Sequence, residues 1–156
     1  MIELELVGVR VELPHNQPIV LLKERAGDRF LPIWIGAVEA TSIAFALQGV
    51  VTARPMTHDL MRNLLEDLKV SVERVVVTEL RDGTFYAEIQ MTSDGESFVT
   101  SSRPSDAIAL AVRATVPIYA DEAVLAEAGI QIEDEEEDEV ERFKEFLDQV
   151  TPEDFR

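Results

Sequence analysis

Residues 37–48, AVEATSIAFALQ, hold one charge in twelve, and residues 104–113, PSDAIALAVR, hold two in ten. The chain around them is 29% charged, with a net charge of −17. In the first segment Ala, Ser and Thr alternate with Ile, Phe and Leu at helical spacing. A helix with so little polarity is buried on nearly all sides or packs against a partner subunit. Gly49 ends the first segment, and Pro104 suits the first helical position of the second. Two such helices need a surrounding layer to enclose them.

The rest of the chain supplies strands. Residues 2–13 put Ile2, Leu4 and Leu6 on one face and continue through Val9, Val11 and Leu13. A turn at Pro14-His15-Asn16, which leaves His15 in solvent, leads to a strand at 17–24, and Ala26-Gly27-Asp28 leads to another at 30–35. This is the pattern of an antiparallel meander. Residues 70–80 and 84–92 form a hairpin around Arg81-Asp82-Gly83, with a short strand at 96–100 after Asp94-Gly95. Between these groups Thr57 reads as the N-cap of a helix over 58–69, whose Leu60, Met61, Leu64, Leu65 and Leu68 form a stripe expected to cover a sheet. A short strand at 117–119 and a short helix at 121–128 follow. The fold class is therefore α+β: a bent, mostly antiparallel sheet of six to eight strands with three to four helices, two of them nearly uncharged and buried.

A domain over residues 1–130 accounts for this core, and residues 131–156 read as an acidic tail with a terminal helix over 139–149. Eight carboxylates and no base lie between Glu133 and Glu141; removing those eight from 31 acidic residues leaves 23 against 14 bases, a net −9. Nucleic-acid binders usually carry a basic face. The charge therefore argues against tight non-specific binding while allowing a small, focused phosphate site. The chain has no cysteine, which removes disulfides and thiolate metal sites. No apolar run approaches the roughly 18–20 residues that span a bilayer, and MIELELVGVRVEL lacks the basic start and apolar centre of a signal peptide. A cytoplasmic protein with no membrane contact is expected.

Two segments share one local grammar: Arg54-Pro55-Met56-Thr57-His58-Asp59 and Arg103-Pro104-Ser105-Asp106. Each has Arg-Pro, then a hydroxyl residue and an Asp, at the start of a helix. Helix N-termini offer unpaired N–H groups and partial positive charge, and arginine adds a planar donor suited to phosphate. Ordinary capping and an Arg–Asp structural tie explain the same residues. Glu39, the only charge of its helix, sits where Glu caps backwards from Gly36, or else serves as a metal ligand or base. His58, beside Asp59, is either a surface cap residue or an acid–base group. The two Arg-Pro segments are expected to share one polar cluster with Glu39 and His58.

LPIWIGAVEATSIAFALQG at 31–49, RPMTHDL at 54–60, LRDGTFYAEI at 80–89 and SRPSDAIALAVR at 102–113 together resemble the bifunctional nuclease domain family over residues 1–130. The resemblance implies cleavage of DNA and RNA phosphodiesters. Arg54 and Arg103, with Thr57 and Ser105, would then bind substrate, His58 would act as acid or base, and Glu39, Asp59 and Asp106 would hold Mg²⁺ or position water. The chain departs from the family pattern at Ser101 and Ser102, where an acidic residue often precedes the Arg-Pro segment. If that acid ligates metal in relatives, this chain has lost it. The alternative is a non-catalytic oligomeric module that binds a small anionic ligand or a protein partner; a homo-oligomer, at least a dimer, is expected on either reading. Clustering separates the two: catalysis needs these groups at an open cleft, and a structural network would close them off.

Overall fold

The structure, a computed structural model, describes residues 1–12 and 17–131. His15, the acidic run and the expected terminal helix lie outside the described residues. The chain runs β1 (Ile2–Glu12), β2 (Gln17–Glu24), β3 (Arg29–Trp34), α1 (Ala37–Leu47), α2 (Thr57–Asp67), β4 (Ser71–Arg81), β5 (Thr84–Ser93), β6 (Glu96–Ser102), α3 (Pro104–Ala114), β7 (Ile118–Ala120), α4 (Glu122–Ala128) and β8 (Ile130–Gln131). The strands form one open sheet in the order β6-β5-β4-β7-β1-β2-β3-β8.

Two meanders build this sheet, β1-β2-β3 and β4-β5-β6, and β7 joins them. It pairs antiparallel with β1 and parallel with β4, which is the one parallel pair among the described residues. Both turns of the second meander are two residues long with positive φ at each: Asp82 (52°) and Gly83 (78°), then Asp94 (50°) and Gly95 (77°). That backbone matches the right-handed twist of a hairpin and requires residues that tolerate φ > 0. Register shifts break β1 between Leu6 and Gly8, and β4 between Val72 and Arg74 and between Val77 and Glu79. An extra residue bends its strand, so these irregularities curl the sheet. The curl is visible in α4, which touches both β4 and β3 although three strands lie between them.

The core runs through both meanders and the helices, with Leu4, Val20, Leu31, Val77, Ile108 and Leu125 all at most 2% exposed. Helix α1 packs on β1, β2 and α3, and α3 packs on β4 and β5. Seven of the eleven residues of α3 are buried. The inner side of α1 is buried within this chain, from Ala40 and Ser42 to Phe45, while Val38 and Leu47 on its outer side are exposed.

Helix α2 departs from the sequence reading. It begins at Thr57 with Met56 as the N-cap residue, so Thr57 is the first helical residue and does not cap. It ends at Asp67, and Lys69 has already turned left-handed (φ 60°). It leans mainly on α3 and only touches β4. A helix supported from one side by another helix buries a narrow face. Met61 and Leu65 therefore pack against the core, while Leu60, Leu64 and Leu68 are 49%, 51% and 69% exposed. No helix among the described residues is long and apolar enough to cross a membrane.

Candidate functional site

Glu39, Asp59 and Asp106 are each the third residue of their helix, in α1, α2 and α3. An acid there faces the positive end of the helix dipole and commonly accepts from the N-cap N–H. Asp59 does this: Oδ2 accepts from the Met56 N–H at 3.1 Å. Glu39 and Asp106 turn instead to a shared cation. Arg103 stands just before α3 and donates from Nε to Asp106 Oδ2 at 2.9 Å and from Nη2 to Glu39 Oε1 at 2.6 Å. Its side chain is 65% exposed, against 13% for Glu39 and 26% for Asp106. Nη1 of Arg103 makes no hydrogen bond among the described residues. Gly36 lies against the Glu39 carboxylate so closely that a Cβ there would collide with it.

The cluster continues inward. Asp106 Oδ1 meets His58 Nε2 at 2.8 Å, and His58 Nδ1 meets Ser42 Oγ at 2.6 Å. Burial alone would raise the Asp106 carboxyl, but the bonds from His58 and Arg103 outweigh it and hold the group below the usual aspartate range. An ionised carboxylate only accepts, so His58 Nε2 carries the proton. Nδ1, on the other side of the ring, is paired with the Ser42 hydroxyl. Arg103 is correspondingly raised by its bonds to Asp106 and Glu39.

Serine, histidine and aspartate are thus linked in the order of a hydrolytic triad. Ser42, however, is buried in the packed side of α1 and is 9% exposed. Its hydroxyl is engaged by the ring and closed to a substrate. His58 is 4% exposed with both nitrogens bonded. The expectation of a surface cap residue is therefore corrected: His58 is buried, and its ring meets Asp106 from beneath.

A second arginine joins at the far end of α3. Arg113 donates from Nε to Asp59 Oδ1 at 2.7 Å, from Nη1 to Ala109 O at 3.0 Å and from Nη2 to Ser42 O at 3.1 Å. Burial pushes the Asp59 carboxyl up, and the bonds from Arg113 and the Met56 N–H more than reverse this, leaving it lowered. Sequence reasoning had placed Arg54 in the cluster. Arg54 is exposed, and its guanidinium makes no ion pair or hydrogen bond among the described residues. The shared cluster therefore joins Arg103, Glu39, Asp106 and His58, with Arg113 and Asp59 beside it and Arg54 outside its contacts. Thr57 is exposed at the start of α2, and Ser105 is 5% exposed in the first turn of α3.

Arg113 and Ser42 were missed. Both signals were present: the lone base of α3 and a hydroxyl on the packed side of α1, on helices too apolar to leave either without a partner. The carboxylates do not fit a divalent ion as they stand. No group of three His, Asp or Glu side chains among the described residues is placed to hold a metal. Mg²⁺ at Glu39 and Asp106 would have to displace Arg103.

The family model of the bifunctional nuclease domain matches residues 20–133 of this chain. An uncharacterized protein of Mycobacterium tuberculosis (strain H37Rv) is 51% identical over 163 residues, covering 99% of this chain and 98% of its own length. Bifunctional nuclease 1 of Oryza sativa subsp. japonica is 28% identical over 127 residues, which span 80% of this chain and 38% of the rice protein. Bifunctional nuclease 2 of Arabidopsis thaliana is 29% identical over 124 residues, 78% of this chain and 37% of its own length.

Proposed function

The chain belongs to the bifunctional nuclease domain family, and on that premise we propose that it hydrolyses phosphodiester bonds of DNA and RNA at the Arg103–Asp106–Glu39 cluster. The observation that carries this reading is the posture of Arg103. Two carboxylates fix one edge of its guanidinium, and the side chain is 65% exposed with Nη1 free of protein partners among the described residues. A preoriented guanidinium suits a phosphate oxygen and the charge that builds on it in the transition state. Asp106, ionised and positioned by His58, orients the attacking water. Glu39 holds Arg103 in register. No step in this reading passes through a metal ion.

The test compares highly purified protein with Arg103→Ala and Asp106→Asn on DNA and RNA substrates. Each variant should lose about 10²–10³-fold in rate, the scale of removing one preorganised electrostatic group. Trace contaminating nuclease acts equally in all preparations. Equal rates in wild type and both variants would refute the reading.

A second reading has its own observation. All three helix-start carboxylates are compensated by arginine, and α2 leaves Leu60, Leu64 and Leu68 exposed. Both suit a homo-oligomeric module that binds a small anion or a protein. A cytoplasmic site of action accords with either reading, since the chain uses no cysteine.

A further inference from the structure

Beside Arg103 lies a cleft of about 380 Å³, within the size range of small-ligand sites. The end of β3 forms one wall and the turn between β4 and β5 the other, brought together by the curl of the sheet. Trp34, the chain's only tryptophan, lines this cleft and is 52% exposed. Phe85 lines it half-buried, Arg103 and Ser105 form its polar end, and Gly36 and Gly83 contribute no side chain to fill it. An exposed indole in the same cleft as an exposed, preoriented guanidinium is the recognition chemistry of an unstacked nucleotide. Duplex bases inside the stack present their faces to each other, and only the terminal pairs leave one open to an indole.

We propose that Trp34 stacks a base of single-stranded nucleic acid whose phosphate lies on Arg103. The proposal rests on the nuclease reading for the identity of its ligand, but its readout is binding. Because Glu39 and Asp106 already compensate Arg103, stacking supplies most of the affinity and charge supplies little. A single phosphate contact gives a logarithmic salt slope of about −0.7.

The lone tryptophan reports directly. A short oligothymidylate titrated into the full chain should quench Trp34 emission saturably, and the same strand annealed to oligoadenylate should not. With a dye-labelled strand followed by anisotropy, Trp34→Leu should weaken binding about 5- to 150-fold, equivalent to about 1–3 kcal/mol of stacking. Trp34→Phe should recover most of the loss. The indole is half exposed, so these variants should melt with wild type, which separates a binding defect from misfolding. Saturable quenching without hydrolysis would support the cleft while refuting the nuclease reading. Hydrolysis without quenching would overturn the stacking proposal and leave the nuclease reading standing. Emission that shifts on dilution and ignores the oligonucleotide would also overturn it, by showing a second copy of the chain over Trp34.

Discussion

Arg113 and Asp59 stand 54 residues apart in sequence and meet at 2.7 Å, Nε to Oδ1, with the arginine side chain only 6% exposed. The pair ties α2 to α3, and the same guanidinium reaches Ser42 O on α1. Three helices therefore converge on one cation. Arg113→Met keeps most of the apolar stem and removes the charge, which leaves Asp59 without its main partner. Asp59 is 25% exposed, so water offsets part of the loss, and a cost of about 3 kcal/mol is expected, the low end for breaking a buried pair. Urea unfolding measures it. Asp59→Asn in the same chain should recover part of the loss, because it removes the stranded charge.

Ser42→Ala tests the inward end of the cluster. The hydroxyl satisfies His58 Nδ1 inside the protein, and its removal leaves a buried ring nitrogen unpaired, at a cost of about 1–3 kcal/mol. If Ser42 acts only through this bond, nuclease activity should fall no more than the shift in folded population predicts. Complete loss of activity in a fully folded Ser42→Ala protein would instead make the hydroxyl a participant in the chemistry.

Acid should loosen the same region. Asp59 and Asp106 both have folded pKa values below their ordinary one. A depressed carboxyl stabilises the fold fully above its unfolded pKa of about 3.9, and this contribution is lost as pH falls through the lower folded value. Stability contributed by these two groups should be flat from pH 7 to about 5 and decline below about pH 4. The decline should be shallower in Asp59→Asn and Asp106→Asn proteins than in wild type. Parallel pH profiles for all three would show that neither pair is linked to folding.

Local chemistry was legible in the sequence. The Asp82-Gly83 hairpin, the Gly36 and Pro104 helix starts and the burial of α1 and α3 follow from residue types that permit few alternatives. Features set by distant partners were not. Nothing local places β7 between β1 and β4, because strand order depends on pairings across the chain. The stripe on α2 marked an apolar face correctly, but its width could not tell a helix on a sheet from a helix on a helix. Arg54 and Arg103 share a motif and differ in place: Arg103 stands where the largely buried Glu39 and Asp106 carboxylates meet and pairs with both, while Arg54 precedes the exposed start of α2. The rule that an apolar helix cannot strand a charge applied equally to Arg113, and it would have found that residue.

The last prediction separates neighbours on α2. Leu65 packs toward the core, while Leu64 is 51% exposed in a row with Leu60 and Leu68. Leu65→Ala should destabilise the chain by about 1–2 kcal/mol, less than a fully buried leucine because it is only partly covered. Leu64→Glu removes no intrachain contact of that kind and should change monomer stability by less than about 0.5 kcal/mol. Its effect should appear in assembly. Leucines four residues apart along one face give a helix–helix seam, so a second copy of α2 is the occupant proposed for this row. Sedimentation should show wild type as a dimer and Leu64→Glu as a 17.5 kDa monomer with an unaltered helical spectrum. A wild-type chain that sediments as a monomer at every concentration would remove the interface, and with it the homo-oligomeric part of the second reading.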